Sequence, residues 1–267
     1  MDNPLLERLN ENLRALKLHR VRERLEAELE NAGRDMPPYA EFLSKLLDDE
    51  LAVKLEKQTS LSTSLAKLPY VKTLEAFDFG FQPSVDAKQI KELAACLFVG
   101  RAENVIFLGP PGTGKTHLAV ALGLKAIAHK YRVLFVSAAA LVASLNKAYS
   151  ENKLEEKLKQ YCMPRLLIID EIGYVPVDTH GAHLLFQIIS RRYERGSIVL
   201  TSNRGFGQWD EIFGDAIIAT AILDRLLHHS TVINIKGDSF RLKEKKRAGL
   251  LKSGNDNNGL DLISKAM

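Results

Sequence analysis

The sequence predicts an α/β protein in which a parallel β-sheet is flanked by helices and is preceded by a small all-helical domain. Short, continuous apolar segments alternate with helical stretches from about residue 70 onward. Continuous apolar runs of four or five residues suit strands buried on both faces, and strands separated by helices indicate a parallel sheet. In residues 1–68, by contrast, leucines recur at helical spacing with charges between them.

The composition is that of a globular protein with room for one large and one small domain. The chain has 267 residues, of which 46% are apolar, and its net charge is +4. This mildly basic balance permits nucleic-acid binding without demonstrating it. Two distant cysteines form neither a disulfide framework nor a zinc site, which favours a reducing compartment. The charged start lacks the core of a signal peptide, and no uncharged run approaches the roughly 20 residues of a membrane helix. We therefore expect a cytoplasmic protein with no membrane contact.

The helical domain, residues 1–68, is predicted to contain two helices. The first covers residues 5–30, and the stretch "NAGRDMPP" then breaks the pattern with Gly33 near the end and two prolines after it. The second runs from about Tyr39 to Leu68, where Pro69 ends it. Two roles stay open for this domain: a helical hairpin that packs on its own chain or another copy, or a module that contacts a partner or DNA.

The larger domain, residues 69–250, is predicted to contain five strands. These are Val105–Leu108, Val133–Ser137, Leu166–Ile169, Ile198–Thr201 and Val232–Ile235. Residues 251–267 are polar and rich in glycine and asparagine at first, and they are predicted to be disordered.

A phosphate-binding loop follows the first predicted strand. The stretch "GPPGTGKT" from Gly109 to Thr116 fits G-x-x-x-x-G-K-[ST] and lies between a strand and a helix. Glycines let backbone N–H groups converge on phosphate oxygens, and the following helix directs its positive end there. An ordinary glycine-rich turn is the alternative, and the strand-to-helix context disfavours it. The predicted ATP-binding residues are Gly109, Pro110, Pro111, Gly112, Thr113, Gly114, Lys115, Thr116 and His117.

Within this loop and after the third strand lie the predicted ligands and catalytic acids. Lys115 supplies charge to the β- and γ-phosphates, and the Thr116 hydroxyl and Asp170 are placed to hold Mg²⁺. Glu171 can polarise the water that attacks the γ-phosphate, which favours hydrolysis over transfer to a small acceptor. A solvated acidic turn is the alternative. Asn203 ends the fourth strand, where its amide can orient the water or contact the γ-phosphate, unless it is a plain asparagine at a strand end.

These motifs in this order resemble the AAA+ ATPases, a class of P-loop NTPases. The segments "AENVIFLGPPGTGKTHLAVALG", "LLIIDEIGYVP" and "GDAIIATAILDRLLHHSTVINIKGDSFRLK" further resemble the IstB-type transposition helper ATPases, relatives of the DnaC-type helicase loaders. The resemblance covers roughly residues 4–250. It implies ATP and Mg²⁺ as cofactors and self-association through the ATP site into a helical or ring-like oligomer.

The resemblance also implies roles for two arginines and two phenylalanines. Arg225 matches the arginine finger, which reaches the γ-phosphate of a neighbouring subunit, and Arg241 matches the sensor-2 arginine of the same subunit. With Glu171 and Asn203 they make up the expected catalytic set, although a surface salt bridge is the alternative for either arginine. Phe77 and Phe79 resemble the aromatic stretch beside the adenine, and they can equally be core residues.

For DNA, the resemblance implies a duplex held mainly through phosphates. Residues 138–161 match the extra helical element of the initiator and loader clade, whose packing builds a helical filament. Candidate DNA contacts are Lys147, Lys153, Arg204 and the basic run Arg241–Arg247, and a solvated charged face is the alternative for each.

Three functions remain after this reasoning. The first is an ATP-switched helper that assembles on double-stranded DNA and recruits or regulates a transposase. The second is a DnaC-type helicase loader with the same ATPase and a different N-terminal partner. The third is a small-molecule or nucleotide kinase, against which Glu171, Asn203 and the two late arginines argue.

Overall fold

The computed structural model describes residues 4–247. It divides into two compact units, one ending at Ser64 and the other beginning at Leu65. The tail predicted to be disordered, residues 251–267, lies outside the described residues, as do residues 248–250 of the predicted ATPase domain.

The first unit is helical. Its helices are α1 (Pro4–Ala15), α2 (His19–Asp35) and α3 (Tyr39–Leu65). Their buried apolar residues form one small core of Leu13, Val21, Leu25 and Leu46. The amino end of α2 is capped from α3, because the Glu50 carboxylate accepts hydrogen bonds from the N–H groups of Arg20 and Val21 at 2.7 and 3.1 Å.

The prediction of one helix over residues 5–30 is wrong, because the chain breaks between α1 and α2. Lys17 takes a left-handed conformation with φ of 57°. The N–H of Leu18 donates to the carbonyl of Leu13, and the N–H of Lys17 donates to that of Arg14. This is the Schellman pattern that ends helices, usually at a glycine. A lysine in the glycine position hides the break in the sequence.

The link between the units also differs from its prediction. Helix α3 ends at Leu65 rather than Leu68, and Lys67 is left-handed with φ of 55°. The carbonyl of the fully buried Ala66 accepts a hydrogen bond from the N–H of Phe135 at 2.8 Å. The chain thus leaves the helix early to pair with the edge of the sheet.

The second unit contains the predicted parallel sheet, and the α/β fold class is confirmed. Its strands are β1 (Asn104–Leu108), β2 (Val133–Ser137), β3 (Leu166–Ile172), β4 (Ser197–Ser202) and β5 (Ser230–Asn234). They lie in the order β2-β3-β4-β1-β5, and every pair is parallel. Only β2 has the predicted bounds: β1 begins one residue earlier, β4 is one residue longer at each end, β3 runs on to Ile172, and β5 begins at Ser230 and ends one residue earlier.

Helices cover both faces of the sheet. One apolar core joins the sheet to α7, α9 and α11, and a second joins its other face to α4 and α6. The helices of this unit are α4 (Ala87–Ala94), α5 (Leu97–Gly100), α6 (Lys115–Ala128), α7 (Ala138–Ser150), α8 (Leu154–Cys162), α9 (Thr179–Arg192), α10 (Trp209–Phe213), α11 (Ala216–Leu227) and α12 (Phe240–Arg247). The extra helical element expected over residues 138–161 is the pair α7 and α8.

Two further expectations can be compared with the structure. Both cysteines, Cys96 and Cys162, are free thiols. Within residues 4–247, no helix combines the length and the apolar character that crossing a bilayer requires.

Candidate nucleotide site

The phosphate loop connects β1 to α6 and depends on its glycines. Gly112 and Gly114 take left-handed backbone conformations, with φ of 81° and 97°. A Cβ atom on Gly114 would lie 2.6 Å from the Phe77 ring, and one on Gly112 would collide with the Ser239 side chain. Because both the conformation and the space exclude a side chain, bare backbone lines this loop.

Lys115, the first residue of α6, is held against the loop. Its Nζ atom donates hydrogen bonds to the carbonyls of Gly109 and Pro110, both at 2.7 Å. Burial lowers the pKa of this ammonium and nearby Arg241 acts in the same direction, while Asp170 opposes them. No carboxylate is bonded directly to Nζ in the described structure, so the ammonium group is available to bind a phosphate.

Asp170 is the centre of a hydroxyl–carboxylate cluster. The Thr116 hydroxyl donates to its two oxygens, at 2.9 and 3.1 Å. The Thr201 hydroxyl, from the neighbouring strand β4, donates to Asp170 Oδ1 at 2.6 Å and accepts the Glu171 N–H at 2.9 Å. Asp170 itself is 5% exposed. The cluster therefore connects the phosphate loop, β3 and β4, and Thr201 is a member that sequence reasoning did not assign.

Glu171 lies at an irregularity of β3. Its backbone is left-handed, with φ of 63°, and the β3–β4 register shifts between Ile169 and Ile172. Such a conformation costs a non-glycine residue about 1–3 kcal/mol and often occurs at functional sites. The exposed Glu171 side chain lines the same cleft as Lys115 and Thr116.

The cleft beside the loop has a volume of about 400 Å³. Such a volume is in the range of small-molecule sites. Phe77 lines it, whereas Phe79 packs edge-on against Phe77 at 4.9 Å and is not among the lining residues. His117, which also lines the cleft, is joined to the segment before Phe77 by a hydrogen bond, since its Nε2 atom is 2.7 Å from the Thr73 carbonyl oxygen. Sequence reasoning missed nine of the lining residues, namely Tyr70, Lys72, Ala76, Asp78, Phe81, Gln82, Tyr174, Thr201 and Phe240.

Asn203 and Arg241 also line the cleft. The Asn203 Oδ1 atom is buried and has no hydrogen-bond partner in the described structure. A buried acceptor without a donor is unfavourable by about 1–3 kcal/mol and is therefore unusual without a function. The exposed Arg241 follows the first residue of α12, whose backbone N–H, at Phe240, donates to the Gly112 carbonyl at 2.9 Å.

The site fits a nucleotide with Mg²⁺. Hard divalent cations prefer oxygen ligands, and the Thr116 hydroxyl and the Asp170 carboxylate already lie within 3.1 Å of each other. The glycine cradle, the Lys115 ammonium and the Asn203 side chain line the same cleft.

Arg225 lies elsewhere, at the amino-terminal ends of the strands, whereas the cleft lies at their carboxyl ends. It lines a small depression with Asn104 and Ile198, which belong to the beginnings of β1 and β4. Its guanidinium lies 4.6 Å from the centre of the Phe186 ring and donates to the Ala221 carbonyl at 3.3 Å. Arg225 is not among the residues lining the nucleotide cleft of its own chain.

The candidate DNA contacts occupy two places. Lys147 and Lys153 line an exposed groove between α7 and α8, together with Lys157 and Lys159. Lys147 Nζ is 3.8 Å from a carboxylate oxygen of Glu151, the residue that follows α7, and the two form an ion pair. The exposed Arg204 follows β4 and is not among the residues that line this groove.

Comparison with known proteins places the chain in a family. Residues 11–248 match the model of the IstB-like ATP binding protein family. A relative described as the ATP-binding protein of insertion sequence IS21 from Pseudomonas aeruginosa is 52% identical over 90% of each chain. That of insertion sequence IS5376 from Geobacillus stearothermophilus is 50% identical over 90% of this chain and 96% of the relative.

Among solved structures, the chain is similar to AMPPCP-bound DnaA from Aquifex aeolicus. The TM-score is 0.54 at 25% identity, over 71% of this chain and 59% of that one. A replication initiator DnaA bound to AMPPCP and single-stranded DNA gives 0.55 at 24% identity, over 70% and 57%, and shows the same fold. Both the P-loop NTPase fold and its AAA+ type are thereby confirmed. The chain belongs to the IstB-like ATP-binding protein family of insertion sequences.

Proposed function

We propose that this protein is an ATP-hydrolysing, DNA-binding helper of an insertion-sequence transposase, which assembles on DNA with ATP and disassembles after hydrolysis. The observation that carries the proposal is the cluster of Thr116, Asp170 and Thr201 beside the glycine cradle, with Arg225 at the opposite ends of the strands. The family and its insertion-sequence relatives support the ATP-binding part of the proposal directly.

The chain's own residues would act on ATP in distinct ways. Lys115 and the loop N–H groups bind the phosphates, and Thr116 and Asp170 hold Mg²⁺, which when bound neutralises charge on the phosphates. Glu171 accepts a proton from the attacking water, and Asn203 orients that water. Arg241 contacts the nucleotide from the same subunit.

The position of Arg225 supports a site shared between subunits. Arg225 and the cleft of its own chain lie at opposite ends of the strands. In a head-to-tail assembly, Arg225 can therefore reach the cleft of a neighbouring subunit. A trans arginine stabilises charge on the transferring phosphoryl group and makes hydrolysis depend on assembly. We therefore assign Arg225 as the arginine finger.

Mixing two inactive variants tests this assignment. Lys115→Ala should lose ATP binding, and Arg225→Ala should bind ATP but not hydrolyse it. In a mixture, Lys115→Ala subunits supply Arg225 to intact clefts, so hydrolysis should partly return, measured as phosphate release. Arg101→Ala, which removes an exposed arginine elsewhere, should retain wild-type activity. Mixtures as inactive as their components would contradict a shared site.

Glu171→Gln tests the role of the second acid. This variant should bind ATP, lose turnover and accumulate as the assembled form on DNA, because binding is intact and the proton acceptor is gone. Imaging with long duplex DNA, with and without ATP, should show ordered assemblies that need ATP. Hydrolysis at the wild-type rate would remove Glu171 from the mechanism.

Phosphate release with no added acceptor separates an ATPase from a kinase.

The groove between α7 and α8 is our proposed DNA-binding surface. Replacing Lys147 and Lys153 by alanine should weaken binding to duplex DNA and lower the salt slope by about 0.9 for each DNA phosphate that is no longer neutralised. The matched control removes Lys88 and Lys91, two exposed lysines on α4. Equal salt slopes for the two double variants would exclude the groove; Arg204 can be tested in the same way.

The partner is proposed to bind through the helical domain, residues 1–68, while residues 69–250 act as the ATPase in the cytoplasm. A transposase retained by the full chain in a pull-down would support a transposition helper. Retention of a replicative helicase instead would favour the DnaC-type loader.

A further inference from the structure

We propose that Glu194, His228 and His229 form a binding site for Zn²⁺ or a similar transition-metal ion. Glu194 lies in the turn between α9 and β4, and the two histidines follow α11. One possible ligand atom from each of the three residues lies within 4.8 Å of the other two. The site is at the amino-terminal ends of β4 and β5, away from the nucleotide cleft, and Asp170 and Thr116 take no part in it.

The distances are close to those that a metal ion requires. Zinc binds nitrogen and oxygen ligands at about 2.0–2.2 Å, so two ligands in a tetrahedral site lie about 3.4 Å apart. The Nε2 atom of His229 and the Oε1 atom of Glu194 are 3.7 Å apart. All three side chains are exposed, so small side-chain rotations can shorten the remaining distances between ligand atoms, which lie within 4.8 Å, to those of a metal site.

A neighbouring tyrosine orients the first histidine. The Tyr193 hydroxyl is 2.7 Å from His228 Nδ1. When Nδ1–H donates to the tyrosine oxygen, the lone pair of Nε2 is free for a metal, and metal-binding histidines commonly have such a second partner. The two imidazole rings already lie side by side, with centres 4.1 Å apart.

The ligand types select the class of metal. Two imidazoles and a carboxylate match the His₂Glu set of zinc sites that keep a fourth position open. Imidazole ligands favour Zn²⁺, Co²⁺, Ni²⁺ and Cu²⁺, whereas Mg²⁺ prefers oxygen. The Mg²⁺ that accompanies ATP should therefore not compete for this site.

The site lies beside Arg225. Glu194, His229 and Arg225 line the same depression, and His228 lies three residues after Arg225. If Arg225 faces a neighbouring subunit, then the metal site lies beside the same interface. This last step rests on the proposed function, whereas metal binding by the isolated chain does not.

Cobalt titration tests the site directly. The full chain without nucleotide, in excess Mg²⁺, is titrated with Co²⁺, whose visible absorption is strong in four-coordinate sites and weak in six-coordinate oxygen sites. We expect a saturable band that Zn²⁺ displaces, that is lost in His229→Ala and Glu194→Gln, and that persists in His183→Ala. His183 is an exposed histidine on α9 and serves as the matched control.

Thermal unfolding keeps the test decisive if a variant is unstable. Zn²⁺ should raise the melting temperature of the wild type and His183→Ala but not of His229→Ala, because a ligand stabilises the native state that binds it. The metal-free His229→Ala should melt near the wild-type temperature. No saturable Co²⁺ band in the wild type, or an equal band in His229→Ala, would overturn the proposal and leave only a contact between His229 and Glu194.

Discussion

Thr201 joins two functional residues through one hydroxyl group, and its replacement by valine tests how the site is held. The side chain is 1% exposed, donates to Asp170 at 2.6 Å and accepts the Glu171 N–H at 2.9 Å. Valine has nearly the same shape, so the substitution removes these two hydrogen bonds and creates little cavity.

The expected loss follows from those two bonds. A hydrogen bond to a charged group contributes about 1.5–3 kcal/mol, and leaving a buried N–H without a partner costs about 1–3 kcal/mol. The added methyl group offsets about 1 kcal/mol through its burial. Because such terms are not additive, we expect the free energy of unfolding to fall by about 2–4 kcal/mol, measured by urea denaturation. The melting temperature should fall by roughly 10 °C.

Hydrolysis should fall further than binding. Without its bond to Thr201, the backbone of Glu171 is no longer fixed, and a displacement of about 1 Å can lower turnover by about 100-fold. ATP affinity should change only a few-fold, since Lys115 and the loop are untouched. The control Thr201→Ser keeps the hydroxyl, so it should retain hydrolysis at a loss of about 1 kcal/mol of stability. If Thr201→Val is as stable and active as the wild type, the cluster does not position Glu171.

Three other predictions concern single positions. Gly114→Ala should abolish ATP binding in a titration, because its Cβ would lie 2.6 Å from Phe77; Gly205→Ala, with open space around it, should bind normally, and equal binding by both would contradict the cradle. Asn203→Ala should lower phosphate release without lowering the free energy of unfolding, because the buried Oδ1 that it removes has no hydrogen-bond partner in the described structure and is itself unfavourable. Burial raises the pKa of Cys96 to about 11, so a thiol-reactive dye at pH 8 should modify it only after unfolding. Rapid labelling of Cys96 in a native Cys162→Ser variant, which lacks the partly exposed second thiol, would show that the core opens.

The parts of the site that the sequence predicts are those contained in one short run of residues. The phosphate loop and the Asp170-Glu171 pair are local, because each follows a recognisable strand and needs no knowledge of strand order. Thr201 was not assigned because its role depends on β4 lying beside β3, which periodicity does not determine. Phe81 and Phe240 meet at 5.4 Å in the cleft wall although they are far apart in the chain.

The fold shows the same division. The strands β1, β3 and β4 were predictable because each contains a continuous apolar run that is buried almost throughout, whereas the outer strands β2 and β5 are less buried. The break at Lys17 was missed because helix-ending conformations favour glycine without requiring it. The backbone geometry of Glu171 likewise has no signature in the residue type.

Because the cleft and Arg225 lie at opposite ends of the strands, a head-to-tail assembly of this protein has a direction. If Arg225 completes the cleft of the next copy, an open filament has one subunit whose cleft meets no arginine and, at the far end, one arginine that meets no cleft. An open chain then contains one fewer working site than it has subunits, whereas a closed ring lacks none. Hydrolysis per subunit would rise as filaments lengthen, and the two ends of a filament on DNA would be chemically different.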